Sequence, residues 1–168
     1  TADQLRVVVF GWSFGDKPAM NDLGSFSVAA AIEADADETQ QAVVQLAQVD
    51  GTLPADASVG FRIGNQFAVY ENDEWNVYVD LIAENRGDSG FTLPAALKMR
   101  LENVDGETVE AAAIDGQDKA IVPGEPQRIT IKAAIPGDDS TSDWMLQFYY
   151  MDGDSAVVLD SLALTGNS

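Results

Sequence analysis

The chain has no histidine and no cysteine. Without histidine it cannot build a Ser-His-Asp triad or an imidazole-ligated metal centre. Without cysteine it has no disulfide framework, no thiolate metal site and no thiol nucleophile. Positive charge is scarce too: 9 Lys plus Arg stand against 28 Asp plus Glu, a net charge of −19 on 168 residues. Long apolar runs are missing. The longest, such as residues 7–10 and 29–32, are strand-sized and far short of the roughly 20 residues that cross a bilayer. The phosphate-cradling patterns G-x-x-x-x-G-K-[ST] and G-x-G-x-x-G do not occur, nor does an N-x-[ST] sequon.

Each absence narrows the function. With a pI near 4.1, binding to nucleic acid or anionic lipid would work against the Coulomb term, so neither partner is expected. No enzyme activity is expected either. The acidity is of a particular kind: Asp outnumbers Glu 19 to 9, Lys falls to 4, and alanine is abundant. This composition resembles that of salt-in halophile proteins, or failing that an acidic marine extracellular protein. The chain starts at Thr1, which is the expected result of removing either a signal peptide or an initiator Met.

What is present is a core and a rhythm. Apolar residues make up 46%, enough for one domain over residues 1–168, with a weak seam near 71–74 where Glu-Asn-Asp-Glu precedes the cleanest strand pattern. The rhythm has period two. Trp75, Val77, Val79, Leu81 and Ala83 alternate with Asn76, Tyr78, Asp80 and Glu84. Leu97, Met99 and Leu101 alternate with Lys98, Arg100 and Glu102, and Ile129, Ile131, Ala133 and Ile135 with Arg128, Thr130 and Lys132. Trp144, Leu146, Phe148 and Tyr150 form a fourth row. Each reads as a half-buried strand. Asp105-Gly106 and Asp152-Gly153 between such runs are hairpin signals, and Asp50-Gly51, Pro123-Gly124 and Pro136-Gly137 punctuate other joins. The expected class is therefore all-β, an antiparallel β-sandwich of immunoglobulin-like or jelly-roll type. Residues 5–14 and 25–33 read as two further strands. Residues 38–49 read either as one short helix capped by Asp37, or as a strand lining one side with Val43, Ala47 and Val49.

Three passages carry a likeness. A strand ends in Asn85-Arg86-Gly87-Asp88, a hairpin follows at Asn103-Val104-Asp105-Gly106, and Val122-Pro123-Gly124-Glu125 leads into a strand that closes on Pro136. Over residues 61–164 the chain resembles small immunoglobulin-like domains of unknown function in secreted prokaryotic lipoproteins and surface proteins. The resemblance implies a non-catalytic extracellular module and carries over no site residues.

Several short patterns could carry chemistry. Arg86-Gly87-Asp88-Ser89 matches an integrin-recognised sequence, but Gly and Asp are ordinary turn residues in this chain. Asp88-Ser89-Gly90 matches the aspartic-protease triplet without its apolar lead-in or a second copy. Carboxylates cluster at Asp35/Asp37/Glu38, Asn72/Asp73/Glu74, Asp138/Asp139/Asp143 and Asp152/Asp154. The EF-hand spacing fails from Asp35, where position twelve is Leu46, and from Asp152, where position five is Ala156. No cofactor is expected, and the metal question stays open because loop-built Ca²⁺ sites in sandwiches follow no fixed spacing. Tyr78 and Tyr149 fall on outward rows and form a candidate sugar-stacking face.

One strand stands apart. Leu5, Val7 and Val9 alternate with Val8, Phe10, Trp12 and Phe14, so residues 5–14 are apolar on both faces, unlike a strand wet on one side. With Gly15-Asp16-Lys17-Pro18 as a hinge, this segment is a candidate assembly strand that pairs with a neighbouring subunit. Secreted, donor-strand-linked fibre proteins of prokaryotes offer a loose parallel. The leading expectation is an extracellular or cell-surface structural protein, a subunit of a filament or surface layer, whose partners are further copies of itself or other surface proteins. The alternatives are a carbohydrate-binding sandwich and a virion structural protein.

The charge makes a prediction of its own. Repulsion among 28 carboxylates is unscreened in dilute buffer. Thermal melts followed by circular dichroism are expected to rise steeply between dilute buffer and molar KCl. A flat response overturns the halophile reading.

Overall fold

The computed structural model describes residues 5–13, 19–28, 40–137 and 144–164. The chain divides into two compact units, residues 1–39 and 40–168.

In the first unit, β1 (Leu5–Ser13) and β2 (Ala19–Val28) form a two-stranded antiparallel sheet. Their register runs from Leu5 opposite Val28 to Ser13 opposite Ala19, with an irregularity between Val9 and Phe10. The second strand thus begins six residues before the expected 25. Residues 29–33, the rest of that expected strand, lie outside the described residues.

The second unit is built on one sheet. In chain order its strands are β3 (Gln41–Gln45), β4 (Ser58–Glu71), β5 (Glu74–Asn85), β7 (Lys98–Glu102), β8 (Thr108–Asp115), β10 (Gln127–Pro136), β11 (Met145–Asp152) and β12 (Ser155–Ala163). Hydrogen bonding orders them β12-β11-β7-β8-β10-β5-β4-β3, every neighbour antiparallel. Two short strands, β6 (Phe91–Thr92) and β9 (Ala120–Ile121), pair separately. The sheet folds back on itself. Phe61 on β4 stacks on Phe148 on β11, ring centroids 4.4 Å apart and planes 12° from parallel, although four strands separate them in the sheet. Two halves of one antiparallel sheet therefore face each other across a shared core, the architecture of a β-sandwich.

The inward rows are those the alternation marks. Val77, Val79, Leu81 and Ala83 are buried, as are Met99 and Leu101, Ile129, Ile131, Ala133 and Ile135, and Trp144, Leu146 and Phe148. Trp75 is half-buried at the edge of this core, its ring 5.0 Å from that of Tyr70.

Turn chemistry sets the registers. Glu71 pairs with Glu74 across Asn72-Asp73, both with positive φ (57° and 62°), as a type I′ hairpin requires. The segment 71–74, expected as a seam, is thus the tight turn of the longest hairpin. A run of polar residues looks the same whether it separates domains or turns a strand. Gly153 takes the first turn position between Asp152 and Ser155 with φ 60°. Gly116, with φ 86°, lies where a Cβ would come within 2.2 Å of the Arg128 carbonyl oxygen, so no other residue fits beside the β8–β10 bulge.

Residues 38–49 need correction. No α-helix forms in the described part: β3 is followed by a single 3-10 turn, Leu46–Gln48. The expected strand parity is also inverted. Ala42, Val44 and Leu46 are fully buried, whereas Val43 is 42% exposed. Pairing decides this, because Ala42 and Val44 lie opposite the buried Phe61 and Val59. Asp37, the expected cap, lies outside the described residues.

Phe148→Ala is expected to lower stability by about 3–5 kcal/mol, since it removes a fully buried ring and its stacking partner's contact. Chemical denaturation measures this, and a loss under about 1 kcal/mol would contradict the assigned inward face.

Candidate functional site

Outward-pointing residues carry whatever recognition this sheet performs, and register places them in cross-strand rows. One row crosses six strands. Tyr149 on β11 opposes Lys98 on β7; further along, Ala112 on β8 opposes Lys132 on β10, Lys132 opposes Tyr78 on β5, and Tyr78 opposes Phe67 on β4. The two candidate tyrosines thus share a face. However, β7, β8 and β10 lie between their strands, roughly 19 Å along the sheet at about 4.8 Å per strand. They do not form one platform.

Each tyrosine is also engaged. Tyr78 is half-buried and stacks on Phe67, centroids 4.8 Å apart and planes 12° from parallel. From the strand on its other side, the Lys132 ammonium sits 5.6 Å from the same ring's centroid. Both Tyr78 faces are therefore taken, which leaves none for a pyranose ring. Tyr149 is only 3% exposed. Its hydroxyl donates to Glu110 Oε1 at 2.6 Å, and the Arg100 guanidinium lies 5.0 Å from its ring centroid. Arg100 Nε in turn donates to Gln147 Oε1 at 2.9 Å, and its Nη2 lies 3.5 Å from Glu102. Burial, reinforced by the hydrogen bond to the Glu110 carboxylate, pushes the Tyr149 phenol up to about 12.

A second polar cluster lies on the same face. Asp80 is buried on the outward row, where it accepts a hydrogen bond from Thr130 Oγ1 at 2.7 Å and another from Arg128. The bond from Arg128 is the main reason its carboxyl is held below the usual range, and desolvation opposes it. Such a group stabilises the fold above the ordinary carboxylate pKa and loses that contribution as pH falls through its depressed value. Nothing in the cluster is poised to transfer a proton near neutrality.

The remaining sequence candidates resolve into turns. Asn85 holds the Arg86-Gly87-Asp88 corner: its Oδ1 accepts from the Gly87 N–H at 2.8 Å, and its Nδ2 donates to the carbonyls of Ser89 and Ile121, each at 2.9 Å. The Arg86 side chain donates to Gln41 on β3, so it braces the sheet. Beside this corner, Glu84, Asn85, Gly124, Glu125 and Pro126 line an open hollow of about 260 Å³, and Glu84 there is paired with Arg62 at 3.5 Å. Asn72/Asp73/Glu74 and Asp152/Asp154 sit at the two tight hairpins. The clusters Asp35/Asp37/Glu38 and Asp138/Asp139/Asp143 lie outside the described residues. Among the described residues, no three or more acidic side chains converge as metal ligands would.

The candidate assembly strand is paired within its own chain. Leu5, Val7, Val8, Val9, Phe10 and Trp12 lie on β1, each opposite a β2 residue. Phe14 and the hinge 15–18 lie outside the described residues. Sequence reasoning missed Phe67 and Lys132 as the companions of Tyr78. The available signal was weak: Phe67, Val69 and Tyr70 lie together in the uncharged stretch 64–70, one of several such stretches in the chain.

No protein-family model matches the chain, and no curated protein matches it. Among solved structures, it is similar to an uncharacterized beta-sandwich protein from Clostridium difficile 630, with 14% identity, a TM-score of 0.40, and coverage of 64% of this chain and 87% of that one. The chain is an all-β, antiparallel β-sandwich protein.

The Tyr149 environment is directly measurable. Because its pKa is raised above the unfolded value of about 10, the phenol stabilises the fold below that pH, and the contribution is lost as pH rises toward 12. An absorbance titration is expected to contain a phenolate component near pH 12 that Tyr149→Phe removes. Its persistence in the variant would contradict the assignment.

Proposed function

We propose that this chain is a non-catalytic structural or interaction protein of the cell surface or extracellular space, a subunit of an assembly such as a filament or surface layer. One observation carries the reading. Residues 1–39 form a unit of their own whose described secondary structure is one two-stranded hairpin. An isolated hairpin is at best marginally stable in water and needs a third strand or a packing surface. The sequence of β1, LRVVVFGWS, is apolar at both parities, so a second surface is required on each side. On this reading a neighbouring subunit is the source of those surfaces.

Because β1 is paired with β2 along its length, we propose the hairpin, and not the single strand, as the element that exchanges. The net charge of −19 is compatible with a saline extracellular setting. The carbohydrate-binding alternative finds no support in the outer face, where the rings of Tyr78 and Tyr149 are covered by Phe67, Lys132 and Arg100.

Removing residues 1–39 tests the reading. The remaining chain, residues 40–168, contains the whole described core. It is expected to keep its near-ultraviolet circular dichroism and to lose self-association in light scattering. An unfolded product would mean that the hairpin completes its own subunit's core, and the proposal would fall.

A further inference from the structure

Beyond Arg62, where pairing with β3 ends, β4 runs on through residues 63–71. Phe67 and Val69, two residues apart on the outward row, are 47% and 46% exposed. The stretch 64–70 around them carries no charge. Two charged groups of opposite sign flank this apolar face. At the hairpin end stand Glu71 and Glu74, paired across the turn. One strand beyond Tyr78 stands Lys132, which has no carboxylate partner among the described residues.

Copies of a chain with net charge −19 repel one another, so they approach closely only where carboxylates are absent or opposed by a cation. Residues 64–70 meet the first condition, and Lys132 on the same face can meet the second by opposing a carboxylate of the hairpin end. We propose that it is a self-association surface on which a second copy docks face to face about a two-fold axis near Val69. The axis reverses strand direction, so the Glu71–Glu74 row of one copy lies over the Phe67–Tyr78–Lys132 row of the other. Glu74 then meets the second copy's Lys132, and Phe67 and Val69 pack between them. The contact is isologous, each half contributing the same apolar centre and the same cation–carboxylate pair. It is small, so the dimer is weak and concentration-dependent.

This inference rests on the assembly reading and names one of its surfaces. The test is sedimentation equilibrium of the full chain, in enough salt to keep it folded, with each variant's fold checked by circular dichroism. Lys132→Glu replaces an attraction by a repulsion and is expected to raise the dimer dissociation constant about tenfold. Val69→Glu is expected to weaken it likewise. Combining Lys132→Glu with Glu74→Lys restores the pair and is expected to recover the wild-type constant. Lys98→Glu makes the same charge change on the same face but outside the patch, and is expected to leave the constant within about twofold. The proposal is overturned if the wild type is monomeric, if the Lys132 and Lys98 variants behave alike, or if the double variant shows no recovery. Association that survives these variants but is lost with residues 1–39 would sink this surface alone and leave the hairpin joint standing.

Discussion

The fold depends on one sheet closing over itself, and the Phe61–Phe148 stack marks where its halves meet. Closure leaves a seam. Strands β12 and β3 end the hydrogen-bond order, and side chains bridge them where no ladder does. The Asp160 carboxylate accepts the Val43 N–H at 2.7 Å, and the Gln40 side-chain carbonyl accepts the Ala163 N–H at 2.8 Å. The irregularity between Phe148 and Tyr149 pairs them with Asp160 and Val158, leaving Leu159 as an extra residue beside the bridging carboxylate. A bulge re-aims its neighbours in this way. Two edges that would otherwise invite foreign strands are thereby partly satisfied within the chain.

The same closure explains why the acidic surface is tolerated. Burial of Val, Leu, Ile and Phe rows on the inner faces supplies the driving force, while the carboxylates stand at turns and on the outer rows. The few cations are used where burial or register demands them. Arg128 answers the buried Asp80, Arg62 answers Glu84, and Arg100 bridges Gln147 and Glu102. Asp80 is among the few polar residues buried in the described part, and it is held by both a charged and a neutral donor, as a buried carboxylate must be.

Sequence legibility followed the same physics. Period-two rows revealed the inward faces of β5, β7, β10 and β11 because each has one dry side, and a single-residue slip would have exposed all of its apolar positions. Asp105-Gly106 and Asp152-Gly153 marked their hairpins because glycine supplies the positive φ. The turn at Asn72-Asp73 was hidden because two non-glycine residues adopt that conformation. In β3 the inward side went unread, since Gln41-Ala42-Val43-Val44-Gln45 puts a valine on each face and has no parity until Phe61 and Val59 assign one. The site was less legible than the fold. Tyr78 and Tyr149 could be put on the outward face from sequence, but their partners come from strands distant in the chain. Nothing local to Tyr78 announces Phe67 on one side and Lys132 on the other.

Charge then limits what such a surface can recruit. Among the described residues many turns present carboxylates, Asp73, Asp105, Asp118 and Asp154 among them, so a partner of like composition meets repulsion there. Several stretches nonetheless lack charge, among them 39–49, 63–70, 89–97 and 144–151. On β4 that stretch coincides with the part of the strand that extends past β3 and exposes Phe67 and Val69. An apolar residue so placed is not screened by neighbouring like charge, and edge segments usually carry Lys, Glu or Pro as protection. Residues 64–70 carry none of these, so the electrostatic barrier to contact there comes from the flanking Glu71, Asp73 and Glu74. High salt lowers that barrier elsewhere too, but it also strengthens apolar contact when the anion is strongly hydrated. If this face joins copies as proposed, strongly hydrated salts favour the contact by strengthening its apolar centre and screening the net repulsion.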